Sequence, residues 1–228
     1  MSASRPYRDR QDAGRALGVE LAPYFGAPRL LVLGLPRGGV PVAAAVAGVL
    51  RAPLDIVAVR KVGVPAQPEL AAGAMAWLAG NVTTVRNETV LADWQRAMGS
   101  FQPQDAGAAD RAFDEAAAIS LLELIRRDKL YRMRRPPLDV SGRTVIVVDD
   151  GLATGSTMRA ALLALRAQEP ARLVAAAPVS CGNAADAAAV ADDVVIPWNG
   201  AGLSAVGQAY AVFGQTTDDE VRKILGTP

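Results

Sequence analysis

Apolar residues along this chain gather in short runs that alternate with longer stretches of helical spacing, the pattern expected of strands and helices taking turns in a parallel sheet. Residues 29–35, 54–61, 143–149, 172–178 and 193–197 read as buried strands. Ala13, Leu17, Leu21 and Tyr24 recur at near-helical spacing and predict a helix over 10–25. Further helices are predicted over 40–50, 88–98, 106–133, 156–168 and 183–190, while the last thirty residues read as irregular. Between them, 74–78, Gly80-Asn81 and 82–85 read as a hairpin added at the sheet edge. The fold class is therefore α/β: an open, mainly parallel sheet flanked by helices, with an edge hairpin.

Composition narrows the chemistry. A chain of 228 residues builds one well-buried core with a small appendage, or at most two modest domains. The formal net charge of +1 argues against a global electrostatic grip on nucleic acid. A single cysteine, Cys181, excludes a disulfide framework and a zinc cluster. The absence of histidine removes Ser-His-Asp and Cys-His catalysis and every His-based metal site. The first ten residues lack the apolar core of a signal peptide, and the longest apolar stretch, 30–50, is broken by Pro36, Arg37 and Pro41. A cytoplasmic protein without a membrane span is expected.

The most informative stretch is 145–157. Four β-branched residues, Val145 to Val148, lead into Asp149 and Asp150, and a Gly-containing loop rich in small and hydroxyl residues then opens the helical pattern from Met158. In an open parallel sheet, ligands bind at the carboxyl ends of strands beside helix N-termini. Free backbone N–H groups and the helix dipole hold a phosphate there, with Thr154, Ser156 and Thr157 as hydroxyl donors and Gly151 and Gly155 allowing close approach. Two carboxylates beside a phosphate conflict unless ribose hydroxyls or hydrated Mg²⁺ lie between them, so a sugar phosphate is the natural ligand. A Walker A loop fits worse: three residues rather than four separate the glycines, and Ser156 stands where Lys is needed.

Two further strand ends carry cations. Pro36-Arg37-Gly38-Gly39 is a tight turn offering a guanidinium fork and backbone N–H groups to one anion, although Arg-Gly-Gly also serves as a plain turn. Arg60 and Lys61 end the strand over 54–61 and open a Gly/Pro-rich stretch, 62–68, read as a loop. The same pair also reads as a solvated strand end, and Glu69 as its salt-bridge partner.

The acidic pair followed by Gly151-Leu152-Ala153-Thr154-Gly155-Ser156-Thr157 resembles the PRPP-binding motif of the type I phosphoribosyltransferases. The Arg37-Gly38-Gly39 turn resembles the pyrophosphate loop of that family, and Arg60-Lys61 the start of its mobile active-site loop. The resemblance covers roughly residues 28–200 and extends, through both terminal segments, to a bacterial subgroup of unsettled substrate. It implies transfer of the 5-phosphoribosyl group from PRPP to a nitrogenous base with release of pyrophosphate, a role in nucleotide metabolism, Mg²⁺ as cofactor and a homodimer. By the same resemblance, residues 151–157 anchor the 5′-phosphate. Asp149 and Asp150 hold ribose hydroxyls and the metal, directly or through water, and Arg37 and Lys61 stabilise the leaving pyrophosphate. The domain plan implied is a core over 28–197 with a hood made of 1–27 and 198–228, the base lying beneath it near Trp198 and either Tyr210 or Phe213. Those aromatics also read as the hood's own small core.

One position departs from the family. Where the 6-oxopurine branch carries a general-base aspartate in the loop, this chain has Ala153, which disfavours that branch and leaves the acceptor and the acid–base group open. The alternative reading is a PRPP-sensing regulator without turnover, resting on the basic run 126–135, which holds Tyr131 and suits nucleic acid phosphates. That run also reads as a solvated helix end, or as arginines reaching a neighbouring subunit's pyrophosphate site.

Overall fold

The computed structural model describes residues 6–64, 67–78, 80–99, 107–133, 135–181 and 189–227. Its centre is a five-stranded parallel sheet of β1 (Leu31–Gly34), β2 (Leu54–Ile56), β6 (Thr144–Val148), β7 (Arg172–Ala176) and β9 (Asp193–Val195), in the order β2-β1-β6-β7-β9. The three central strands, β1, β6 and β7, lack a polar face because both faces are covered. Leu31, Leu33, Val145 and Val147 point to one side, and Val32, Ile146 and Val148 to the other, each set in its own buried cluster. The second side is closed by α1 (Arg10–Glu20) and α2 (Gly39–Leu50), and the first by α5 (Ser156–Arg166).

A second, antiparallel sheet lies over α5. The run read as one strand over 54–61 divides at Val57: β2 stays with the parallel sheet, while β3 (Ala58–Val64) leaves it to pair with β4 (Gln67–Leu78). The predicted hairpin is present as β4 and β5 (Asn81–Arg86), and β3 joins it into a separate three-stranded sheet. Alternation explains the placement. Val57, Val59, Ala74, Ala76 and Leu78 pack on α5, while Ala58, Val62 and Met75 face α3 (Glu88–Gly99) and α4 (Ala108–Arg132). The Gly/Pro-rich stretch predicted as a loop is largely strand, since β3 continues to Val64 and β4 begins at Gln67, with register shifts at Val62/Gly63 and Gly63/Val64. The Glu69 side chain and most of the predicted helix over 183–190 lie outside the described residues.

The terminal segments meet at the carboxyl edge of the parallel sheet. Tyr7 bridges Tyr210, with Tyr7 N–H donating to Ala209 O (2.8 Å) and Ala211 N–H to Tyr7 O (2.7 Å). Beside them β8 (Val179–Ser180) pairs with β10 (Trp198–Asn199). The predicted first helix ends at Glu20 and is followed by a 3-10 turn over 22–24 that contains Pro23, which has no N–H to extend an α-helix. The last thirty residues are more regular than expected. They hold α6 (Asp218–Leu225), started by a capping box in which Thr217 and Glu220 each accept the other's backbone N–H.

Candidate active site

The site forms where β1 and β6 end side by side. Leu35 N–H donates to Val148 O (2.9 Å), and the chain then turns through Pro36–Gly38, with a cis peptide between Pro36 and Arg37. A Cβ on Gly38 would lie 2.0 Å from Asp150 Oδ2, and one on Gly39 would lie 2.7 Å from Val148 O. Glycine is therefore required by the close approach of two loops: the turn nests directly on the acidic strand end.

The phosphate-type loop is equally fixed. Leu152 is buried and held by β8, with Leu152 N–H donating to Val179 O (2.9 Å) and Cys181 N–H to Leu152 O (2.7 Å). Gly155, at φ 71°, turns the chain into α5, whose N-terminus has no side-chain cap. The first N–H groups of that helix have no partner within the helix, and the positive end of its dipole adds to them. The Thr154 and Ser156 hydroxyls stand 3.2 Å apart beside them.

The remaining walls come from elsewhere in the chain. Arg60 and Lys61 on β3 and Arg127 on α4 face the two loops across a cleft of about 560 Å³. Arg37 and Gly38, both aspartates, residues 151–155 and Thr157 line the same cleft. Of the other predicted residues, Gly39 and Ser156 adjoin it within their own loops, while Trp198 stands apart. Trp198 packs edge-on to Tyr7 (5.7 Å between ring centroids) in a cluster with Leu203 and Val206.

Electrostatics sets the state of the carboxylates. Burial raises the pKa of Asp149, and the charge of Asp150 raises it further, against the opposing pull of Lys61 and Arg10. Burial also raises that of Asp150, against the opposing charge and hydrogen bond of Arg10. Arg10 Nη2 and Nε sit 2.8 and 2.9 Å from Asp150 Oδ2. Its Nη1 donates to Gly214 O (2.6 Å), and its guanidinium lies 3.9 Å from the centre of the Phe213 ring. The Tyr210 hydroxyl donates to Asp150 O. On the far side, Arg37 Nη1 stands 3.6 Å from Asp218 Oδ1, which also accepts from the Tyr131 hydroxyl.

A divalent cation suits this pair. Two adjacent carboxylates, both disfavoured as anions by burial, offer hard oxygen donors whose repulsion a cation relieves. Among the described residues no three His, Cys, Asp or Glu side chains converge on one point. Asp149 and Asp150 are the residues that would hold such a cation, which would supply positive charge beside them.

Two residues that hold the site, Arg10 and Asp218, escape the sequence patterns, and so does the placement of Glu123 and Arg127. Arg10 and Asp218 are distant in the chain from everything they touch, and no local signal marks either. The i,i+4 spacing of Glu123 and Arg127 places them on one helix face but does not say that α4 lies along β3.

A parallel sheet whose strand ends carry an acidic pair, an uncapped helix N-terminus and a basic turn has the layout in which open α/β sheets bind ligands at the carboxyl ends of their strands. Residues 12–204 match the phosphoribosyl transferase domain family, and the chain belongs to it. It is 37% identical to the TT1426 protein of Thermus thermophilus, whose crystal structure it matches with a TM-score of 0.73 over 97% of this chain and 98% of that one. It is also 41% identical, over 96% of its length, to proteins of two Mycobacterium tuberculosis strains that are provisionally named phosphoribosyl transferases. The chain spans 46% of the length of those two relatives. Among the described residues no helix is long and apolar enough to cross a membrane.

Proposed function

We propose that the cleft binds PRPP with Mg²⁺ and transfers its 5-phosphoribosyl group to a nitrogenous base, releasing pyrophosphate. The observation that carries this reading is the meeting, in one cleft, of an uncapped helix N-terminus, two adjacent carboxylates and a cationic wall of Arg37, Arg60 and Lys61. These are the three partners that a 5′-phosphate, a ribose and a pyrophosphate require.

In this proposal the 151–157 loop fixes the 5′-phosphate and so aims C1′ at the acceptor. Asp149 and Asp150 hold the ribose hydroxyls from below, Asp150 kept in place by Arg10 and Tyr210. Arg37, Arg60 and Lys61 face the leaving group, whose negative charge grows as the C1′–O bond breaks, so they stabilise the transition state more than the ground state. Mg²⁺ would supply charge neutralisation at the ribose and pyrophosphate oxygens. The core over 28–197 and a hood of 1–27 and 198–228 belong to the same proposal, with the base between Tyr210, Phe213 and the acidic pair. Trp198, turned toward Tyr7, is left out of it.

The regulator reading is weakened, because several arginines of the basic run are paired within the chain. Arg132 and Arg135 both pair with Asp55, and Arg126 pairs with Glu123 and Asp218.

The test is pyrophosphate release from PRPP and Mg²⁺ over a panel of adenine, guanine, hypoxanthine, xanthine, uracil, orotate and nicotinate, with the Asp149→Asn/Asp150→Asn double variant as control. Base-dependent release that vanishes in the control supports the transferase and names its acceptor. PRPP binding with no release across the panel would shift the assignment to a PRPP sensor.

A further inference from the structure

The cationic side of the cleft is more crowded than a solvated surface tolerates. Arg127 reaches it from α4, 19% exposed at its side chain, with its Nε donating to Glu123 Oε1 (2.7 Å). Glu123 is shared, since its Oε2 also accepts from Arg126 Nε (2.6 Å) and its Oε1 from Arg126 Nη2 (2.9 Å). One carboxylate thus serves two guanidiniums. Arg60 Nε is buried with no hydrogen-bond partner among the described residues. Burial, and then the neighbouring charge of Arg127, lower the pKa of Arg60. A buried donor without an acceptor, set beside a second half-neutralised cation, is explained by an anion that both receive. The position of the pair decides which anion. Arg60 precedes Lys61 on β3, and Arg37 is tied through Asp218 to Arg126, the residue before Arg127. Arg127 therefore lines the cleft together with Arg37, Arg60 and Lys61.

We propose that Arg127 is a binding residue for the pyrophosphate end of the phosphoribosyl donor, acting together with Arg60 from the chain's own α4. The proposal rests on the PRPP reading of the cleft. It places within one subunit a cation that the sequence allowed to serve a neighbour. Glu123 is then a positioning residue that holds the Arg127 fork toward the cleft while leaving its remaining N–H groups for phosphate oxygens.

Isothermal titration with three probes in Mg²⁺ buffer separates the alternatives: PRPP, inorganic pyrophosphate and ribose 5-phosphate, which lacks the pyrophosphate. Arg127→Gln is expected to weaken PRPP and pyrophosphate at least tenfold and to leave ribose 5-phosphate within twofold of wild type. Arg127→Lys, which keeps the charge but loses the fork, should fall between the two, and Lys129→Gln on the exposed side of α4 should match wild type for all three probes. Unchanged pyrophosphate affinity in Arg127→Gln would overturn the inference, and so would an equal loss for ribose 5-phosphate, the mark of a structural role. If the wild-type protein binds none of the three probes, the PRPP reading itself falls, an outcome distinct from a normal wild type with an indifferent Arg127 variant.

Discussion

At Gly38 a single hydrogen separates a working turn from a collision. The backbone there is ordinary helical (φ −61°), so the constraint is space: an added methyl lands 2.0 Å from Asp150 Oδ2. Gly38→Ala is expected to displace that carboxylate and cut phosphoribosyl transfer at least tenfold, with an overpacking cost of about 1–3 kcal/mol visible as a lower Tm. Normal activity would show that Asp150 need not hold its present position. Asp150 itself is a carboxylate whose folded-state pKa lies above its unfolded one, despite the Arg10 ion pair. Ionising it at neutral pH therefore costs the fold, and that cost grows as pH rises from its unfolded pKa toward its folded one. Asp150→Asn should accordingly abolish transfer while leaving Tm at pH 7.5 equal to or above wild type. A drop of several degrees would instead make the Arg10–Asp150 pair a net stabiliser. The sequence made the acidic pair and the anion loop readable because their residue types have few other uses together. It could not reveal Arg10, whose role exists only once residues 10, 150 and 213 are brought together by the fold.

Among the elements, α6 shows best how a peripheral piece reaches the chemistry. Its capping box fixes the residue just inside the helix start, Asp218, which holds Arg37, Arg126 and Tyr131. Thr217→Ala removes an N-cap worth about 1 kcal/mol, which for a chain of this size lowers Tm by roughly 2–4 °C. It should also raise the KM for PRPP by loosening Arg37; a Tm loss without a KM change would confine α6 to stability. This helix is short and mostly polar, so apolar periodicity gave no sign of it, although Thr217 and Glu220 carry the capping spacing. The buried strands were legible because the sheet is covered on both faces. The departure of β3 at Val57 was not, since Ile56, Val57 and Ala58 are apolar whichever sheet they join.

For the whole molecule, the ion-pair network around α4 should appear in the acid limb of stability. Hydrogen bonding from Arg126 first, and from Arg127, lowers the Glu123 pKa from 4.5 to about 2. A depressed carboxyl contributes stability that is present above its unfolded pKa and is lost as pH falls through the folded value. Thermal melts of wild type and Glu123→Gln should therefore differ most above pH 4.5 and converge toward pH 2, whereas a constant gap would mean that the glutamate acts through packing. Fold class and the alternation of strands and helices along the chain were readable from the sequence, as were the loops at the ends of β1 and β6. What was hidden is long-range: which helix covers the second sheet, and which terminal side chains, Arg10 and Tyr210, hold the acidic pair.

The bridge between Tyr7 and Tyr210 ties that arrangement to time as well as space. The carboxylate that faces the ribose in the proposed complex is steadied by residues from both terminal segments, so its geometry depends on the two segments staying together. A brief opening of this bridge, too small to register in circular dichroism, would withdraw Arg10 from Asp150. On slow heating, enzymatic activity should fade several degrees before the cooperative melt, and amide hydrogens of residues 7, 211 and 212 should exchange with solvent well ahead of those in β6.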